Sequence, residues 1–240
     1  MSNPTRAILF DLDGTLIDTT DLIMRCFHHS WRTVCGLEHS RAAILTTFGI
    51  PLREAMQRLL AQTNGLEPAD VEALVDQLLL EYRTFNVANH DQLAFPFAGV
   101  RQVLEQLRLS GYRIGVVTSK GRELATRGLQ LCALSDLIDA AVFLEDTTTH
   151  KPQPEPILAA LAKLNTRADC AVYVGDSFHD IVAGRRAGVR TVAALWGPMP
   201  RAELEREQPD YMAESITQLL EIFAAPMSAD QSLPVEAEMS

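Results

Sequence analysis

Four short apolar runs punctuate the second half of the chain: Ile114–Val117, Ala140–Leu144, Ala171–Val174 and Thr191–Leu195. The segments between them carry helical spacing, through Leu124, Ala125, Gly128 and Leu129, from about Glu155 to Leu164, and over Asp180–Ala187. One more helix, on Val100, Val103, Leu104 and Leu107, stops at Gly111, and a last one covers about Ile216–Phe223. Strands alternating with helices in this way build βαβ units, whose right-handed crossovers leave the strands parallel and both sheet faces covered. Strands buried on both faces read as unbroken apolar runs, as these do. A fifth such run, Ala7-Ile8-Leu9-Phe10, lies near the start of the chain, far from the others.

What separates it from them is helical. Leu22, Ile23, Cys26, Phe27, Ser30, Trp31 and Val34 follow helical spacing up to Gly36, a natural residue past a helix end. Ser40 caps a short helix to about Thr47, Leu52–Leu60 forms the next, and Pro68 starts one that runs through Tyr82 and Phe85. No strand is expected from about Thr19 to Asn89. The expected architecture is therefore α/β, a three-layer Rossmann-like parallel-sheet core of residues 1–17 and 91–225, with an inserted all-helical cap of residues 18–90. Residues 226–240, rich in Ser, Pro, Ala and acids, read as a disordered tail.

At 240 residues and 47% hydrophobic, the chain can bury a large core. A net charge of −10 without a dense Lys/Arg run argues against nucleic acid and anionic membranes as partners. A local basic site for a small anion is still compatible with that field. Four scattered cysteines with no C-x-x-C pair read as reduced, buried thiols. The apolar run near the N-terminus is too short for a signal peptide, so a cytoplasmic protein is expected. Oligomeric state is not legible, because a helix face buried by the cap looks like one buried by a partner.

The strand ends carry the chemistry. The Ala7–Phe10 run ends in Asp11-Leu-Asp13-Gly-Thr, Ile114–Val117 in Thr118-Ser119-Lys120, and Ala171–Val174 in Gly175-Asp176-Ser-Phe-His-Asp180; Lys151-Pro152 follows Ala140–Leu144 after a loop. In a parallel sheet these ends open on one edge, where such sheets bind ligands. Carboxylates converging from separate loops form an oxygen cage suited to Mg²⁺. A hydroxyl and a lysine supply donors for phosphate oxygens, and an aspartate can attack phosphorus directly.

These motifs, in this order, resemble the four motifs of the haloacid dehalogenase superfamily, over roughly residues 6–223. The helical insertion after the first motif resembles that superfamily's small cap. Thr118-Ser-Lys-Gly, Asp176-Ser-Phe-His-Asp and Pro209-Asp-Tyr-Met are similar to the phosphoglycolate phosphatase-like members, which include a bacterial pyrophosphatase branch. The resemblance implies Asp11 as a nucleophile that becomes a phospho-aspartate, and Asp13 as general acid and then base. It implies Thr118, with Ser119, as phosphate ligands and Lys151 as the neutralising cation. Asp176 would hold Mg²⁺ with Asp11 and the Asp13 carbonyl, and Asp180 would ligate directly or through water. Dehalogenating relatives lack a carboxylate at the position of Asp13, which favours phosphoryl chemistry.

The expected function is a Mg²⁺-dependent phosphatase acting on a small-molecule phosphate such as phosphoglycolate. Inorganic pyrophosphate hydrolysis, a phosphosugar mutase, and a non-catalytic phosphate or Mg²⁺ sensor stand as alternatives. Other candidates have simpler readings. Gly184–Gly188 lies in and at the end of a helix, where packing and capping account for it. His28 and His29 point about 100° apart on a helix and cannot share a metal. Arg53, after the Gly49-Ile50-Pro51 loop, is a candidate for a second anionic group of the substrate, and His179 is left without a role.

Overall fold

The computed structural model describes residues 7–63 and 68–224. The tail reading for 226–240 lies outside these residues. Strand β1 (Ala7–Phe10) is buried along its whole length, and the chain then turns through Asp11–Leu16 into a two-residue strand, β2 (Ile17–Asp18). Four helices follow: α1 (Thr20–Cys35), α2 (Arg41–Leu45), α3 (Leu52–Leu60) and α4 (Pro68–Leu93). Gly36 closes α1 in the left-handed region at φ 63°, and the Ser40 hydroxyl accepts from the Ala43 N–H at the start of α2. The return strand β3 (Phe95–Pro96) pairs antiparallel with β2.

From there strands and helices alternate: α5 (Val100–Leu109), β4 (Arg113–Val117), α6 (Arg122–Leu131), β5 (Ala140–Val142), α7 (Glu155–Lys163), β6 (Ala171–Gly175) and α8 (Phe178–Ala187). The described chain ends with β7 (Arg190–Ala194), α9 (Arg201–Glu205), β8 (Tyr211–Ala213) and α10 (Gln218–Ala224). Six strands form one parallel sheet in the order β5-β4-β1-β6-β7-β8. The first strand in sequence thus sits at the centre, between β4 and β6. Sequence order reverses on either side of it, which makes the β1 C-terminal end the ligand-binding crevice of such a sheet.

Alternation along β1 sends Ile8 and Phe10 into a core shared with α5, α6 and α10. Ala7 and Leu9 face the opposite layer, built on Ile157, Ala160 and Leu161 of α7 and Ala183 and Ala187 of α8. Helices α1–α4 enclose a separate buried cluster that includes Leu22, Phe27, Trp31, Met56, Leu59 and Tyr82. The α/β architecture with a three-layer parallel-sheet core is as expected from the alternating pattern.

The differences are local. Neither the β2–β3 pair nor β8 was expected, because strands of two or three residues are too short to show periodicity. The β2–β3 pair clamps the points where the chain leaves the sheet and returns to it. Helix α4 runs on past Asn89 to Leu93. The strand expected over Ala140–Leu144 stops at Val142, because Asp146 accepts from the Phe143 N–H and turns the chain into a short 3₁₀ segment.

Candidate active site

Asp11 directly continues β1, and its N–H still donates to the Val174 carbonyl of the neighbouring strand. The sheet therefore aims this side chain before any ligand arrives. Lys151, 2% exposed, reaches it from the loop before α7, with Nζ donating to Asp11 Oδ1 at 2.8 Å and to Asp180 Oδ1 at 2.7 Å. Asp180, at the start of α8, is saturated on its other oxygen by the N–H and hydroxyl of Ser177 in a capping box. Tyr173 lies under the same group, with its hydroxyl 2.9 Å from Asp180 Oδ1 and 3.1 Å from the Val117 carbonyl.

Asp176 is equally buried. The Thr15 hydroxyl donates to its Oδ1 at 2.7 Å, and the backbone of Gly14 passes so close that a Cβ there would lie 2.4 Å from Oδ2. Gly14 also has φ +87°, so the Asp-x-Asp-Gly turn needs glycine for conformation and for space.

The charges are unbalanced. Burial, reinforced by Asp180 and opposed by Lys151, pushes the Asp11 carboxyl up to about 7. Burial, then the proximity of Asp11 and Asp180, raises Asp176 well above the carboxylate range. Burial works against the charge of Asp180 too, but Lys151 and its other donors outweigh it and hold Asp180 below the usual value. Lys151, for its part, is raised by its two acids despite burial. One lysine, bonded to Asp11 and Asp180, thus stands among three buried carboxylates that each bring one oxygen within 4.8 Å of the others. An all-oxygen donor set with surplus negative charge and an under-served Asp176 fits a hard divalent cation such as Mg²⁺. With both Asp180 oxygens already engaged, Asp11 and Asp176 are the natural direct ligands.

Asp13 faces the same crevice. Its Oδ1 accepts from Thr19 Oγ1 and from Lys120 Nζ, both at 2.8 Å, which leaves Oδ2 uncommitted. Lys120 closes the Thr118-Ser119-Lys120 run, and a lysine three residues past a strand end has no spacing signature that pairs it with Asp13. Thr118 is buried, and its hydroxyl oxygen accepts from the Lys120 N–H, so its hydrogen remains available to a ligand. Ser119 is used differently from the expectation of a phosphate ligand, because its hydroxyl donates to the Gly49 carbonyl at 2.7 Å and ties the sheet edge to the loop before α3. Gly49 has φ +86°, and a Cβ on it would meet Ser177 Oγ at 2.5 Å.

Arg53 does not join the site. It pairs with Glu72 and Asp76 of α4 on the outer surface and is not among the residues lining the cavity. His179 is buried against Phe178, with ring centroids 3.9 Å apart, and burial lowers it to about 4. His28 and His29 are half-buried; His29 stacks on Phe85 and lies 3.5 Å from Glu81 Oε2.

A cavity of about 570 Å³ opens over these groups. Its floor is Asp11, Asp13, Thr118, Ser119 and Lys120; its roof is α1, the loop 47–52 and one face of α4. Among the described residues no helix is long and apolar enough to cross a membrane.

The chain is similar to known proteins over most of its length. The profile of the haloacid dehalogenase-like hydrolases matches residues 8–194. PpaX of Caldanaerobacter subterraneus subsp. tengcongensis is 40% identical over 216 residues, 90% of this chain and 93% of its own. Pyrophosphatase PpaX of Bacillus thuringiensis is 36% identical over 90% of this chain and 95% of its own. A haloacid dehalogenase-like family hydrolase from Streptococcus pneumoniae superposes with a TM-score of 0.76 at 26% identity, covering 91% of this chain and 98% of that one.

Proposed function

The chain belongs to the haloacid dehalogenase-like hydrolase family, and from that premise we propose that it is a Mg²⁺-dependent phosphatase of small soluble phosphate compounds, working through a phosphorylated Asp11. The observation that carries this reading is the 2.8 Å pair of Asp11 and Lys151 at the β1 end, with Asp13 beside it on the same cavity floor. The carboxylate of Asp11 attacks phosphorus. The bond from phosphorus to the leaving oxygen breaks, and that oxygen takes the proton of Asp13. Asp13, now a carboxylate, takes a proton from water, whose oxygen attacks the same phosphorus. The Asp11–phosphorus bond then breaks and inorganic phosphate leaves, restoring both groups.

Lys120 and Thr19 anchor one oxygen of Asp13, so the other can carry the travelling proton in a fixed direction. The Thr118 hydroxyl supplies a hydrogen bond to the transferring group, and Lys151 holds Asp11 in place while offsetting its charge. Mg²⁺, held by Asp11 and Asp176 with Asp180 behind them, would supply positive charge to the phosphoryl oxygens. The α1–α4 layer would act as a cap that keeps water from the cavity during the first transfer.

The name of the Bacillus thuringiensis relative favours a second reading, inorganic pyrophosphate as substrate. Both readings are tested together by turnover of an aryl phosphate, phosphoglycolate and pyrophosphate with Mg²⁺. Asp11→Asn should lower every activity at least about 10⁴-fold, since the covalent route is closed. Retained activity in that variant sinks the assignment. Release of an isomerised sugar phosphate in place of free phosphate would mark a mutase.

A further inference from the structure

The roof of the cavity holds one charge that the phosphoryl chemistry does not use. Two basic side chains line the cavity among the described residues; Lys120 is held by Asp13, whereas Arg83 of α4 makes neither an ion pair nor a hydrogen bond. Four other arginines of this helical layer are matched, with Arg25 on Asp21, Arg32 on Glu38, Arg53 on Glu72 and Asp76, and Arg58 on Glu54, while Arg41 of α2 is also unpaired but does not line the cavity. One turn beyond Arg83 on the same helix, Asn86 also lines the cavity; it is 4% exposed, and its Oδ1 has no hydrogen-bond partner. The neighbouring roof is apolar, with Ile23, Phe27, Phe48, Ile50 and Val87.

We propose that Arg83 is the subsite for the leaving group, and that the preferred substrates are compact phosphates whose leaving group is itself an anion, either a second phosphate or a short carboxylate. The inference rests on the phosphatase reading of the floor. In-line displacement sends the leaving group away from the nucleophile, and Asp11 is on the floor, so what departs points toward the roof. There the unpaired cation is Arg83, whose planar fork matches carboxylate and phosphate oxygens. Arg83 is exposed at the cavity mouth, so an anionic leaving group gains an ion pair there that a neutral one does not.

Size is limited from the other side. Glu123 and Glu145 line the rim near the start of α6, where Glu145 accepts from the Arg122 N–H, so a longer polyanion would meet like charge.

The test compares kcat/KM for pyrophosphate, phosphoglycolate and an aryl phosphate in wild type, Arg83→Ala and Arg83→Lys, with Mg²⁺ present. Arg83→Ala should lower the preference for anionic over aryl leaving groups about ten- to hundredfold, carried mainly by KM, and Arg83→Lys should recover part of it. A loss confined to pyrophosphate identifies the anion as phosphate, and one confined to phosphoglycolate as carboxylate. An unchanged preference, or a parallel fall on all three compounds, overturns the subsite. Should the wild type hydrolyse none of them, the phosphatase reading itself falls, and the subsite falls with it.

Discussion

The floor and the roof of the cavity are built by opposite rules. On the floor every charged side chain already has a partner in the protein: Lys151 bridges Asp11 and Asp180, Thr15 holds Asp176, and Lys120 and Thr19 hold Asp13. These residues come from separate strand ends, and the parallel sheet brings them within hydrogen-bond reach without help from a ligand. The roof is apolar over most of its area and carries one unmatched cation on a helix. A preorganised polar floor suits chemistry that must be the same for every substrate, since its donors need no rearrangement as charge develops. An apolar roof with one charge suits discrimination, since it rewards a single feature of what departs.

The floor should therefore be fragile as a unit. Lys151→Met removes the one cation serving Asp11 and Asp180 while keeping much of the side-chain volume. It should destabilise the protein by about 3–5 kcal/mol, because two buried carboxylates lose their partner. Urea unfolding without added metal is the measurement, and a loss below about 1 kcal/mol would mean that the floor is not electrostatically coupled.

Next in size is the metal. Mg²⁺ at a hundredfold excess over its dissociation constant should stabilise the fold by about 2.7 kcal/mol, read as a rise in melting temperature. Asp176→Asn should abolish most of that rise, and the rise should shrink as the pH is lowered, because the ligands must be ionised to bind. A Mg²⁺-induced rise that survives in Asp176→Asn would place the cation elsewhere.

Sequence was a better guide to the floor than to the roof, for a physical reason. Strand ends in a parallel sheet are forced to one edge, so Asp11, Asp13, Thr118, Lys151, Asp176 and Asp180 could be collected before their distances were known. The apolar runs and their order were also enough to give the sheet's class, although not the short β2–β3 pair or β8. Helix spacing, by contrast, says which residues share a face and not what that face looks at. Arg53 therefore stood out because it follows a Gly-Ile-Pro loop, while Arg83, inside a long helix of mixed polarity, carried no signal. Ser119 was legible as a hydroxyl at a strand end, but its engagement by Gly49 depends on where the helical layer docks.

That docking point offers a smaller perturbation. Gly49→Ala puts a side chain into the left-handed region and against Ser177 Oγ, costing about 1–2 kcal/mol locally. Displacement of the loop should also loosen the Ser119–Gly49 hydrogen bond, so the variant should lose selectivity among leaving groups more than it loses turnover of an aryl phosphate. Equal losses would show that floor and roof are not separable in function.

The smallest effect distinguishes Arg53 from Arg83 in the helical layer. Arg53 spans Glu72 and Asp76 on the outer face, and the three side chains are 47%, 64% and 66% exposed. Exposed pairs of this kind contribute about 0.2–1 kcal/mol each and are screened by salt. Arg53→Ala should therefore lower stability by no more than about 1 kcal/mol, with a smaller difference in high salt, and should leave kcat/KM and leaving-group preference at wild-type values. Arg83→Ala should do the reverse, because Arg83 has no partner in the protein to lose and faces the cavity. A selectivity change in Arg53→Ala as large as that in Arg83→Ala would mean that the roof turns its outer face inward during turnover, and a static division between the two faces of α4 would no longer hold.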